Sequence, residues 1–277
     1  MSEADAIKKA GSEPGTRDNL AQALRRCGLE PGMALLVHSS LSALGWVNGG
    51  PVAVIQALLD VLGDEGTLVM PTHSGDYSDP SQWGNPAAPQ EWWQPIRDTM
   101  PAFDPRITPT RGMGAIPEAF RRWPGALRSY HPAVSFAALG PQAKFITDNH
   151  ELDYGLGEGS PLARIYELGG WVLLLGVGYD SNTSFHLAEY RAPQLEPVTL
   201  GAPILVKGQR QWVEYKDVDL DVDPFPQIGA EMEAAGLVRI GRVAAAEVRL
   251  FYQPAAVDFA TEWLTRERRK QQMAQAG

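Results

Sequence analysis

The residue types that suit acid–base chemistry are concentrated in one stretch, residues 176–189. An apolar run at 171–175 leads into a glycine-containing turn, and Asp180 begins four consecutive residues of types that commonly cap helices. His186 and Glu189 follow three residues apart, so both side chains can lie on one face of the new helix. A histidine oriented by a carboxylate can act as a general base, although the same spacing also occurs in ordinary solvated pairs.

Polar residues also follow two other predicted strands. Residues 34–37 lead to His38, Ser39 and Ser40, and residues 66–70 lead to a threonine–histidine pair at 72–73. Ligands of open α/β sheets bind beyond the carboxyl ends of the strands. We therefore expect both strand ends to share one cleft with the histidine of the first motif.

The turn from Thr110 through Arg111, Gly112 and Met113 to Gly114 is a candidate anion site. Backbone N–H groups of such a turn at a helix start can face a phosphate, and the arginine adds a positive charge. The turn lacks the lysine of a Walker loop and the spacing of a dinucleotide fingerprint, so the signal is weak.

Two further histidines carry no catalytic prediction. His131 precedes a proline in a polar cluster, and we interpret it as a hydrogen-bonded structural residue. His150 lies in a polar, surface-like stretch with no case for function.

Composition narrows the class of protein. The 277 residues carry a formal net charge of −9, which argues against a nucleic-acid partner and suits a small cationic substrate. No apolar run approaches the roughly 20 residues of a membrane span, and no secretory signal is evident. Cys27 is the only cysteine, which excludes an internal disulfide and a cysteine metal cluster. We expect a cytoplasmic protein without a metal site; a homodimer stays open.

The order of predicted elements indicates an α/β fold. Helices alternate with strands early, whereas a hairpin at 204–206 and 211–215 and two later strands suggest an antiparallel C-terminal portion. We expect a mixed central sheet with flanking helices. We expect residues 1–16 to form a flexible tail and residues 17–277 to form one domain.

Residues 74–110 interrupt this pattern. The segment is rich in Pro, Asp and Trp and shows no sustained period, which is typical of a functional excursion. We expect it to be ordered and to form the wall of a pocket, the alternative being a satellite core.

Seven motifs in this order are similar to those of the aminoglycoside 3-N-acetyltransferases, and the likeness extends over about residues 17–265. They are H-S-S-L-S-A-L-G (38–45), M-P-T-H (70–73), S-D-P-x-x-W (78–83), F-D-P-x-x-T-P-T-R-G-M-G (103–114), R-S-x-H-P-x-x-S-F-A-A-x-G (128–140), G-x-G-S-P-L (157–162) and L-L-L-G-V-G-Y-D-x-N-T-S-x-H-x-A-E (173–189).

The resemblance implies acetyl transfer from acetyl-coenzyme A to the 3-amino group of a 2-deoxystreptamine aminoglycoside. It implies that His186 is the catalytic histidine, and that the fold differs from the common (GNAT-type) acetyltransferase fold. Some relatives act on other amines, so a different small amine is an alternative substrate.

The candidate residues fit this chemistry. A neutral imidazole, with an ordinary pKa of about 6.5, can deprotonate an amine, and Glu189, Asp180 or a distant acid could stabilise the imidazolium. Ser39, Ser40 or adjacent N–H groups could face the thioester oxygen, and the 110–114 turn could hold the coenzyme's phosphates. We expect both substrates to bind together, without an acyl-enzyme.

We expect the cationic sugar to bind acidic and aromatic residues, mainly of the 74–110 excursion. The candidates are Asp76, Tyr77, Asp104 and Asp180.

Two other classes of function stay open. A serine at 39 or 40 with His186 and Glu189 could form a hydrolase triad, although no G-x-S-x-G elbow occurs. A non-catalytic sugar-binding protein could use the tryptophan-rich segment as a stacking surface.

Overall fold

The computed structural model describes residues 2–84, 86–193 and 195–275, and a mixed β-sheet lies at its centre. The strands are β1 (Ala34–Ser39), β2 (Thr67–Pro71), β3 (Leu127–Arg128), β4 (Phe136–Leu139), β5 (Trp171–Leu175), β6 (Pro197–Val206), β7 (Gln209–Val218), β8 (Val238–Val243) and β9 (Ala246–Tyr252). Seven of them form the central sheet in the order β3-β4-β2-β1-β5-β9-β8, and β6 pairs with β7 in a separate hairpin.

The helices flank this sheet. They are α1 (Glu3–Ala10), α2 (Arg17–Arg26), α3 (Gly50–Leu62), α4 (Gln90–Thr99), α5 (Ala115–Phe120), α6 (Ala143–Thr147), α7 (Pro161–Glu167), α8 (Ser184–Arg191), α9 (Phe225–Ala234) and α10 (Gln253–Gln275). Short 3-10 helices occupy Leu41–Leu44, Pro80–Gln82 and Tyr179–Ser181. Among the helices in the described ranges, none combines the length and hydropathy that a membrane span requires.

The centre of the sheet is parallel. Strand β1 runs parallel to both β2 and β5, with Leu35 opposite Leu68 on one side and Trp171 on the other. The remaining pairings, β2–β4, β3–β4, β5–β9 and β8–β9, are antiparallel. The prediction of a mixed central sheet with an antiparallel C-terminal portion is thus confirmed.

Side-chain alternation builds a core on each face of the sheet. Leu35 and Val37 pack with α2 and α3 on one face, whereas Leu36 and Val172 pack with α7, α8 and α10 on the other. All four side chains are fully buried. Each contributes roughly 1.5–3 kcal/mol through burial, so the strands that carry the site rest on a rigid support.

The hairpin is longer than the sequence indicates. The predicted segments 204–206 and 211–215 are parts of two ten-residue strands. Pro197 and Pro203 both lie in β6. A two-stranded sheet has only edge strands, where a proline can face away from the partner strand and its missing N–H costs no ladder bond. The Pro203 carbonyl instead accepts a hydrogen bond from the N–H of Phe103, at 2.8 Å, which ties the 74–110 excursion to the hairpin.

The N-terminal segment contains helix α1. Ser2 and Asp5 form a reciprocal capping box at the start of this helix. The helix packs near the 3-10 helix Leu41–Leu44, with Lys9 Nζ 3.4 Å from the Ser42 carbonyl. The structure thus places a helix where the sequence suggested a tail, and the flexibility of that segment stays a prediction.

Candidate active site

Three parallel strands bring the polar strand ends to one edge of the sheet, as the sequence predicts. Strands β2, β1 and β5 are adjacent and end at Pro71, Ser39 and Leu175. The chain after β5 turns sharply at Gly176, whose φ is 72° and where a Cβ would come within 2.4 Å of Ala43 Cβ. A larger residue would displace the turn that leads to α8.

A cavity of about 940 Å³ opens at this edge. Its walls come from the start of α1, the turn after β1, the 112–114 turn and the turn between β5 and α8. The last of these walls contributes Asp180 and Thr183. The 74–110 excursion, predicted to wall a pocket, contributes none of the described residues around this cavity.

The two serines after β1 differ in their bonding. Ser39 Oγ is buried without a hydrogen-bond partner among the described residues, whereas Ser40 Oγ pairs with Ser42 Oγ at 3.1 Å and caps the following 3-10 helix. Both residues line the cavity. Neither hydroxyl is hydrogen-bonded to His186, so the structure gives the hydrolase triad no support.

The 110–114 turn meets the end of β1. Gly112, Met113 and Gly114 line the cavity, and a Cβ on Gly114 would lie 4.0 Å from the Ser39 carbonyl. Gly114 has φ 85° and ψ 178°, a conformation that is essentially restricted to glycine. At this glycine the backbone therefore faces the cavity without a side chain to cover it.

The other two residues of that turn face elsewhere. Thr110 donates hydrogen bonds from its N–H and its hydroxyl to Glu118 Oε2, each at 2.9 Å. Arg111 is exposed, lies outside the cavity lining, and its N–H donates to the His73 carbonyl at 2.8 Å. Their contribution to coenzyme binding stays a prediction.

Helix α8 holds the predicted catalytic pair. Asn182 Oδ1 accepts a hydrogen bond from the Ser184 N–H at 3.3 Å, so His186 occupies the first turn of the helix. The Nδ1 atom of His186 lies 2.6 Å from Glu189 Oε2, and the two side chains are 14% and 1% exposed. Of the acids that the sequence left open, Glu189 is the one that contacts the imidazole. With Nδ1–H donated to a carboxylate, Nε2 is the nitrogen left to accept a proton.

The cavity wall ends next to this pair. The His186 N–H donates to the Thr183 carbonyl at 3.0 Å, and the Thr183 hydroxyl is hydrogen-bonded to His38 Nε2 at 3.3 Å. Thr183 and His38 line the cavity, whereas His186 lies just outside the lining. An acyl group must therefore extend past Thr183 to approach the imidazole. The ring of Phe225, with its centroid at 5.0 Å, packs edge-on against that of His186.

Two further histidines lie near the pair. Burial, and secondarily a charge on His186, lowers the pKa of His38 to about 3. Burial likewise lowers the pKa of His73 to about 3, and its Nε2 atom has no partner among the described residues. Both imidazoles are neutral at neutral pH, so they add no positive charge that would oppose protonation of His186.

The two remaining histidines are structural. His131 Nδ1 accepts hydrogen bonds from the N–H groups of Ala133 and Val134, and burial lowers its pKa to about 4, which confirms the structural interpretation. The prediction that His150 is surface-like was wrong: it is buried and bonded to Ser129 Oγ and the Gly155 carbonyl. Those two partners satisfy both ring nitrogens, which permits burial.

The predicted substrate residues lie in different surroundings. Asp76 is exposed, and Tyr77 is half-buried with its ring edge-on to Phe103. The Asp104 carboxylate is bound by Arg106, at 2.7 Å from Nη2. Asp180 lies outside the excursion and lines the cavity, as Ser39 does. The roles of these four residues stay predictions.

The sequence placed His38 and Thr183 among the polar strand ends but did not indicate that they touch. They lie 145 residues apart, so no local spacing reports their contact. No group of three or more metal-ligating side chains is present in residues 2–84, 86–193 and 195–275.

Comparison with known proteins agrees with this geometry. The profile of the family described as aminoglycoside 3-N-acetyltransferase matches residues 36–265. The chain is 49% identical to the SPbeta prophage-derived aminoglycoside N(3')-acetyltransferase-like protein YokD of Bacillus subtilis strain 168, over 93% of this chain and 95% of that protein. It is 41% identical to aminoglycoside N(3)-acetyltransferase VIII of Streptomyces fradiae, over 95% and 96%.

Solved structures give the same answer. The crystal structure of YokD from Bacillus subtilis superposes with a TM-score of 0.92 at 48% identity, covering 94% of this chain and 96% of that one. The binary complex of AAC-IIIb with CoASH gives 0.83 at 35%, covering 92% and 98%. AAC-VIa bound to sisomicin gives 0.83 at 34%, covering 92% and 99%. The chain therefore belongs to the aminoglycoside 3-N-acetyltransferases, a family of acyltransferases.

Proposed function

We propose that this protein transfers the acetyl group of acetyl-coenzyme A to the 3-amino group of a 2-deoxystreptamine aminoglycoside, with His186 as the general base. The observation that carries the proposal is the contact at 2.6 Å between the buried Glu189 and the half-buried His186, beside a cavity of about 940 Å³. Such a pair supplies the base that an amine nucleophile needs.

The reaction is a direct transfer with both substrates bound. The amine nitrogen attacks the thioester carbonyl while Nε2 of His186 accepts a proton from that nitrogen. The tetrahedral intermediate then expels the thiolate of coenzyme A by cleavage of the C–S bond. Glu189 stabilises the imidazolium through the hydrogen bond from Nδ1, which becomes charge-assisted when the ring is protonated. The free hydroxyl of Ser39 gives no sign of nucleophilic activation, in keeping with a route without an acyl-enzyme.

The cavity fits the acyl donor. Its unpartnered Ser39 hydroxyl can donate to the thioester or to an amide of the pantetheine arm, since a buried hydroxyl without a partner is costly. The open backbone at Gly112 and Gly114 gives N–H groups room to reach the coenzyme. Ser40 and Met113 extend this surface, and Thr110 and Arg111 would act from outside the cavity lining. The coenzyme bound to the relative AAC-IIIb supports the assignment.

The acceptor is a cationic aminoglycoside. The formal charge of −9 favours such a ligand through long-range attraction, and the relative AAC-VIa binds sisomicin. Asp76, Tyr77, Asp104 and Asp180 are the proposed contacts. Asp104 would exchange its Arg106 partner for a substrate ammonium, and Asp180 would act from the cavity wall. Homodimerisation and a cytoplasmic location stay predictions.

A thiol-release assay tests the proposed reaction. Acetyl-coenzyme A is mixed with the protein and either a 2-deoxystreptamine aminoglycoside or a simple primary amine, and the acetylated nitrogen is located by NMR. We expect coenzyme A release that requires the aminoglycoside and a product acetylated at the 3-amino group. Release without an amine would indicate a hydrolase, and acetylation of simple amines alone would indicate another acceptor.

A further inference from the structure

The C-terminal helix α10 sends one arginine to the end of the helix that carries the catalytic pair. The Nη1 atom of Arg268 donates to the backbone carbonyls of Glu189, Ala192 and Pro193, at 3.5, 3.4 and 2.9 Å. These carbonyls lie at the C-terminal end of α8, where a cation also interacts favourably with the helix dipole. The side chain is 16% exposed, so solvent screens these contacts only in part.

The same guanidinium approaches the Glu189 side chain. Nη2 of Arg268 lies 4.0 Å from Glu189 Oε1, which also accepts the Asp221 N–H at 2.9 Å. The other carboxylate oxygen holds Nδ1 of His186. One arginine therefore contacts both the backbone and the carboxylate of the residue that orients the imidazole.

We propose that Arg268 is a positioning residue for the His186–Glu189 pair, and that its charge offsets part of the pull of the carboxylate on the imidazole proton. Its hydrogen bonds to the carbonyls fix the C-terminal end of α8 and therefore the position of Glu189. Its positive charge lies 4.0 Å from the carboxylate that the imidazole contacts, so the two cations compete for that carboxylate when the ring is protonated. The kinetic part of this proposal rests on the proposed function.

The other charged or titratable groups around the pair do not replace that charge. His38 of β1 and His73 after β2 are neutral, because burial lowers the pKa of each to about 3. Asp217 of β7 accepts a hydrogen bond from the Tyr190 hydroxyl, and burial raises the pKa of that carboxyl. Asp221 adds a further acid. Among the described groups that face the pair, Arg268 thus supplies the permanent positive charge.

Two substitutions separate the effect of the positive charge from that of the hydrogen bonds to the carbonyls. Arg268→Lys keeps the charge but loses the planar fork that reaches several carbonyls. We expect the plateau of kcat to fall about 3- to 10-fold, with the acidic limb of the pH–rate profile in its wild-type place. Arg268→Met loses both, so the plateau should fall and the acidic limb should move upward by about half to one pH unit.

A matched control lies two residues away on the same helix. Arg266 is 53% exposed and pairs with Glu231 and Glu267, away from α8. We expect Arg266→Met to leave both the plateau and the limb unchanged. Should Arg268→Met fail to fold, Arg268→Gln carries the same expectation for the limb, since the amide keeps a donor for the Pro193 carbonyl.

A titration without substrate makes the test independent of acetylation. The imidazole of His186 is followed by NMR in histidine-labelled protein, its signal assigned by its loss in His186→Ala. We expect the midpoint to rise by about half to one pH unit in Arg268→Met and to stay in Arg268→Lys. Identical midpoints in wild type and Arg268→Met, or equal shifts in both variants, would overturn the role of the charge. Absent acetylation by the wild-type protein would refute the proposed function and leave this titration as the test.

Discussion

Replacing Glu189 by glutamine changes one atom and disturbs two hydrogen bonds. The carboxylate accepts from His186 Nδ1 at 2.6 Å and from the Asp221 N–H at 2.9 Å. An amide has only one acceptor oxygen, so in either orientation its NH₂ group faces a donor. The imidazole can relieve this by moving its proton to Nε2, which removes the lone pair that the general base requires. Glu189→Gln therefore impairs both the charge and the tautomer.

The structure sets the size of the effect. Hydrogen bonds to charged groups are worth roughly 1.5–3 kcal/mol, and the 1%-exposed Glu189 is shielded from solvent screening. At about 1.4 kcal/mol for each tenfold change in rate, we expect kcat to fall about 10- to 150-fold. The orphaned donor should also lower the free energy of unfolding by about 1–3 kcal/mol.

Steady-state acetylation under saturating aminoglycoside and acetyl-coenzyme A measures this loss, at a temperature well below unfolding. Glu158→Gln is the control, because the exposed Glu158 pairs with Arg191 of the same helix without touching His186. We expect that variant to stay within twofold of wild type. A Glu189→Gln protein that is folded and also stays within twofold would refute the role of this carboxylate.

Further expectations concern pH and the glycine turn. The pKa values of His38, His73 and His131 are lowered in the folded protein. As the pH falls below about 6.5, these three imidazoles therefore become protonated only in the unfolded chain. The free energy of unfolding should therefore fall by about 2 kcal/mol per histidine between pH 7.5 and pH 5, measured by urea titration, and a flat pH profile would contradict the buried neutral rings. Gly114→Ala should raise KM for acetyl-coenzyme A and cost about 1–3 kcal/mol of stability. Gly208, in the β6–β7 turn, has a φ of 79°, so the control variant Gly208→Ala should lose stability without a change in KM. Equal KM values in the two variants would argue against the cavity as the coenzyme site.

Much of the central sheet could be predicted because its strands are short, apolar and bounded by glycine or proline. Residues 171–175 form β5 with the predicted bounds, since unbroken burial on both faces leaves a continuous apolar run. Helix α4 could not be predicted, because none of its residues is buried and Pro95 lies inside it. Polar contacts hold it instead, such as Arg97 on Asp79 at 2.7 Å. Contacts of that kind leave no period in the sequence.

The contact of His186 with Glu189 could be predicted because a helix fixes the relation of positions three apart. The convergence of the three strand ends could also be predicted, whereas the individual contacts between them could not, since they join distant parts of the chain. His38 on β1 meets Thr183 in the turn after the adjacent strand β5, and Arg268, 79 residues beyond Glu189 in the chain, meets it from α10. Only the packing of α10 on α8 brings the second pair together.

The most direct test of the account is the turnover of His186→Ala with a saturating aminoglycoside and acetyl-coenzyme A. We expect kcat to fall by about two to four orders of magnitude, the usual worth of a general base, while coenzyme A still protects the protein against thermal unfolding. Turnover close to that of the wild type in a folded His186→Ala protein would contradict the account.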